Sequence, residues 1–99
     1  MTRRELLNWL GTRRPTPPAG LRAHLEGAVA DGVEPLPQHL ARLGAELLAR
    51  VTRHPTGGRE LALDLLAADA FVTYAFEAQA EADVGGLARL AQDVTGGTA

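Results

Sequence analysis

The sequence predicts an all-α protein, a compact array of four to five helices packed around one long helix at about 59–82. Three observations predict it. Alanine and leucine fill 34 of the 99 positions, isoleucine is absent and valine appears six times. That composition favours helix over strand. No run of four or more residues alternates cleanly between β-prone apolar and polar side chains as a half-buried strand does. Finally, Leu36, Leu40, Leu43, Leu47 and Val51 recur at the i, i+4, i+7, i+11, i+15 spacing of one buried helical stripe.

The first helix is expected at about 3–11. Thr2 followed by Glu5 reads as a capping box, Leu6, Leu7 and Leu10 supply an apolar stripe beside Trp9, and Gly11 suits the stop. The prolines of Arg13-Arg14-Pro15-Thr16-Pro17-Pro18 stiffen the next connection. Thr16 is expected to cap a second helix with Pro17 at its first position. Leu21, Leu25, Ala28 and Val29 form its inner stripe, and Asp31-Gly32 ends it.

The third helix follows Pro35-Leu36-Pro37 and carries the stripe described above. Glu46 and Arg50 on its polar side have the favourable i,i+4 orientation. His54-Pro55-Thr56-Gly57-Gly58 breaks the chain before the fourth helix. In that helix Leu61, Leu65, Ala68, Val72, Ala75 and Phe76 share one face, while Leu63, Ala67, Ala70, Phe71 and Tyr74 cover much of the other. Only Asp69, Thr73, Glu77 and Glu81 form a continuous polar strip. A helix so apolar needs neighbours on most sides, from its own chain or from a second copy. Asp83 is expected to cap a last helix at about 84–94, and residues 96–99 to form a flexible tail after a single domain of residues 1–95.

Charge is unevenly divided. Residues 1–59 hold nine arginines against five acidic side chains, a balance of +4, and residues 60–99 one arginine against seven, a balance of −6. Such polarity can attract an anionic partner, or hold two halves of one fold or two copies together. Cysteine is absent, which excludes disulfide scaffolds, thiol catalysis and cysteine-based metal sites. Serine is absent too, so the usual hydroxyl nucleophile is lacking. No stretch is long and apolar enough for a membrane span, and no secretory leader is recognisable. A soluble, cytoplasmic, non-catalytic protein is expected, with no cofactor and no metal.

His24, His39 and His54 lie 15 residues apart, unlike the one-turn or short-paired spacing of metal ligands. The i,i+4 carboxylates Glu60/Asp64 and Glu77/Glu81 read first as solvated helix faces, and Asp69, with apolar sequence neighbours, as an internal carboxylate bonded to an arginine. Arg50, Arg53, His54 and Arg59 around Gly57 and Gly58, just before a helix, form a candidate anion site, and a small-anion or metal-binding helical bundle is the second alternative. The Arg-rich N-terminal half offers a nucleic-acid or transcription-regulatory alternative, disfavoured by the acidic second half and the scarcity of aromatics. The favoured expectation is a protein–protein interaction module that serves as an adaptor, regulator or assembly subunit. It self-associates as a homodimer or higher assembly through Leu40, Leu43, Leu47, Val72 and Phe76, with Trp9 as an anchor.

Overall fold

The computed structural model describes residues 1–53 and 57–96. Among them are five α-helices and no strand: α1 (Arg3–Leu10), α2 (Ala19–Ala28), α3 (Leu36–Arg53), α4 (Gly58–Ala82) and, after a 3₁₀ turn at Val84–Gly86, α5 (Leu87–Thr95). The radius of gyration, 13.1 Å, is that of a close-packed chain of this length.

The expected capping box opens α1. The Glu5 amide donates to the Thr2 hydroxyl at 3.1 Å and the Thr2 amide to Glu5 Oε1 at 2.8 Å. Eight residues are too few to hold a helix alone, and Arg3 fastens this one. Its guanidinium donates to the Val29 and Glu26 carbonyls at 3.1 and 3.0 Å, at the end of α2. Met1 and Gly32 exchange a further pair of bonds at 2.8 and 3.0 Å.

Two expectations for α2 are corrected. Thr16 does not cap it; Pro18 occupies the cap position without a side-chain bond, and the helix begins at Ala19. Pro18 disfavours the helical conformation at Pro17, so the helix can start only beyond the second proline. The helix also ends at Ala28, before Asp31-Gly32. Val29 continues in extended conformation yet stays buried with Leu25.

The helix α3 carries its predicted stripe inward, with Leu40, Leu43 and Leu47 buried and Leu36 and Val51 half-buried. Its first-turn Pro37 removes no intrahelical bond, because that amide would have no helical acceptor. Where α3 meets α4, Gly44 lies against Ala68 and Val72, and Arg50 lies near Asp64, a pairing that runs the two helices antiparallel.

The long helix α4 is continuous over 25 residues. At roughly 100° per residue its buried set (Asp64, Ala67, Ala68, Phe71, Ala75, Ala78, Gln79) is centred roughly 70° from the face expected from its larger apolar residues. Small residues sit under α3 and Phe71 fills the centre, whereas Leu65 and Leu66 stay exposed. Gly58 takes φ +58° at the start of this helix, a conformation that favours glycine. The expected cap Asp83 is present, accepting the Gly85 amide at 3.0 Å. It caps a 3₁₀ turn, and α5 proper starts at Leu87. Gln79 occupies the space beside Gly86 and donates to the Asp83 carbonyl at 2.8 Å, which holds that turn against α4.

Candidate protein-docking groove

An open groove of about 760 Å³ runs between α3, α4 and α5. Its α3 wall is Ala41, Ala45 and Leu48, its α4 wall Leu65, Asp69 and Val72, and its α5 end Leu90, Asp93 and Val94. The groove exists because α3 presents small side chains where α4 presents Leu65 and Val72, and because α5, nine residues long, covers only part of that face. Leu48 and Leu65 keep 51% and 46% of their surface exposed. Half-exposed leucines facing each other over an apolar floor are the kind of surface that protein partners cover.

The rim is charged unequally. Arg42 donates to Glu34 at 2.6 Å and to Glu46 at 2.7 Å. The guanidinium bond holds Glu34 below the ordinary glutamate value, and the two carboxylates raise Arg42. Asp69 and Asp93 have no ion pair or hydrogen bond among the described residues. Gln38, also on the wall, has a buried Oε1 with no hydrogen-bond partner.

Of the residues expected at an interface, Val72 lines the groove. Leu40, Leu43 and Leu47 are committed to the chain's own core, and half-buried Phe76 packs against it. Trp9 is enclosed by its own chain as well. It meets Tyr74 edge to face at 6.1 Å, and the Arg13 guanidinium lies 4.0 Å over its ring. Arg13 also pairs with Glu81 at 2.8 Å. That bond lowers Glu81, while burial raises the Tyr74 hydroxyl.

The carboxylate expected inside, Asp69, is exposed; the rotation of α4 buries Asp64 in its place. Asp64 Oδ1 lies 2.6 Å from His24 Nε2 and 3.8 Å from Arg50 Nη1, so one carboxylate ties α4 to α2 and α3. His39 is fully buried, with Nε2 2.9 Å from the Ala30 carbonyl oxygen and Nδ1 unpartnered. In the candidate anion cluster, Arg50 turns to Asp64, the Arg59 guanidinium lies by Gly20 of α2, and Arg53 is exposed. Gly57 and Gly58 begin α4, and His54 lies outside the described residues. Sequence reasoning missed Ala41, Ala45 and Leu48 as a surface; their i,i+4,i+7 spacing on α3 was the available signal.

No helix among the described residues is long and apolar enough to cross a membrane. The chain matches no family model, no curated protein and no solved structure.

Proposed function

We propose that the protein is a non-catalytic interaction module that docks a helix of a protein partner in the α3–α4–α5 groove. The observation that carries this reading is the trough itself: about 760 Å³, floored by aliphatic side chains, with Leu48 and Leu65 half exposed at its edge. Amphipathic helices dock in such grooves by an apolar ridge at i, i+3/i+4, i+7 spacing. The groove is open along its length, so a small apolar molecule would keep one side in water, whereas a helix would cover the leucines and bring its own polar face to solvent. His24 and Asp64, a pair that resembles half of a catalytic triad, are packed between helices and line no part of the groove. An adaptor, regulator or assembly subunit needs a surface of this kind.

Selection from a display library of helix-forming peptides tests the reading. Amphipathic helices are expected to be enriched, to perturb the amide signals of Leu48, Leu65, Val72 and Val94, and to lose binding to the Leu48→Glu variant. Enrichment of sequences without an apolar ridge, or perturbations confined to another face, would overturn it.

A further inference from the structure

We propose that the groove's occupant is a basic amphipathic helix of another protein, with arginine or lysine beside its apolar ridge and Asp69 and Asp93 as the counter-charges. This rests on reading the groove as a docking surface. The charge argument is independent of the apolar one. Asp69 on α4 and Asp93 on α5 both border the floor, and neither has a cationic partner within 4.0 Å among the described residues. The cation on that rim, Arg42, is already shared between Glu34 and Glu46, so the rim as a whole carries surplus negative charge.

A neutral helix laid over the floor would strip water from both carboxylates and return nothing. A helix with guanidinium or ammonium groups at its flanks replaces that water with charged partners, and the field of the rim speeds its approach. A second copy fits less well. Two identical grooves placed face to face on a two-fold axis bring the same acidic rims together, and like charges at an interface oppose association. A nucleic-acid backbone meets the same repulsion.

The test uses two synthetic helical peptides with one leucine ridge, flanked by arginine in one and by glutamate in the other, titrated into the whole chain by fluorescence anisotropy. The arginine peptide is expected to bind at least about tenfold more tightly at low salt. The gap should narrow between about 50 and 300 mM salt. It should also close in the Asp69→Asn/Asp93→Asn variant, whose two exposed substitutions leave the helical spectrum unchanged. Equal binding of both peptides, still lost on Leu48→Glu, would overturn the basic-helix proposal and leave the docking reading standing. Binding of neither peptide would overturn both. Light scattering supplies the remaining arm: Leu48-dependent self-association at micromolar concentration would identify a second copy as the occupant and overturn the proposal.

Discussion

His24 Nε2 lies 2.6 Å from Asp64 Oδ1, and this contact joins α2 to α4 across 40 positions of sequence. The Asp64 side chain is only 9% exposed, so its partner supplies what water no longer can. Losing one member of such a pair strands the other, whereas exchanging both for apolar groups of similar size removes the problem together with the bond. Asp64→Leu is therefore expected to lower unfolding stability by about 1.5–3 kcal/mol, and His24→Leu/Asp64→Leu by clearly less than the two single changes combined. Chemical denaturation of the four proteins of the cycle measures the coupling. Strictly additive losses would mean that the contact stores nothing.

Glycine 44 sets the spacing of α3 on α4. A Cβ there would stand 3.0 Å from Val72 Cγ2 and 3.1 Å from the Ala68 carbonyl oxygen. The first can yield by rotation; the second is backbone and cannot. Gly44→Val is expected to cost about 1–3 kcal/mol as overpacking. Gly27 of α2 is a matched control, exposed and with nothing within 4 Å of the same hypothetical atom. Gly27→Ala should gain up to about 0.5–1 kcal/mol from reduced freedom of the unfolded chain. Opposite shifts in thermal midpoint are the expected readout.

Acid should loosen the fold through carboxylates that the structure holds ionised. Arg42 lowers Glu34 and Arg13 lowers Glu81, in both cases chiefly through a direct hydrogen bond. In the unfolded chain both titrate near the ordinary value of 4.5. The stabilisation from a lowered folded value is complete above that pH and disappears as pH falls through the folded values. The part of the stability supplied by these two carboxylates, read from thermal midpoints, should thus be constant above about pH 5 and decline below 4.5. In Glu34→Gln/Glu81→Gln the neutral plateau should drop slightly and the acid decline become shallower. Both groups are solvent-facing, so the change is small.

The parts of this fold legible in the sequence are those in which one residue pattern has one physical solution. Thr2 and Glu5 satisfy each other's amides, and Leu36, Leu40, Leu43 and Leu47 of α3 share a single stripe away from Arg42 and Glu46. The phase of α4 was not legible. Leucine, alanine and aromatic residues surround that helix, so its own pattern favours no face strongly, and the fit of Gly44 against Ala68 and Val72 decides which side turns inward. With the phase goes the identity of the buried acid: Asp64 and Asp69 lie five positions apart, and the same rotation that encloses the first exposes the second. The groove was hidden for a further reason. It is the space α5 leaves on the α3–α4 face, a property of three helices at once.

Trp9, Arg13 and Tyr74 close the opposite side of the molecule, and their arrangement predicts a spectroscopic result. The Arg13 guanidinium stacks 4.0 Å over the Trp9 ring while bonding Glu81 at 2.8 Å, and its side chain is 15% exposed. The stack requires a cation, and the planar guanidinium also reaches the Glu81 carboxylate at the same time. Arg13→Met keeps an apolar stem over the indole but loses the charge, leaving Glu81 unpaired and the ring edge open to water. Destabilisation by about 0.5–1.5 kcal/mol is expected. Since Trp9 is the sole tryptophan, its emission should shift to longer wavelength in the native state. Arg13→Lys should recover part of the stability, because the ammonium retains the charge without the flat contact. Unchanged emission in Arg13→Met would show that the guanidinium does not cover Trp9 in solution.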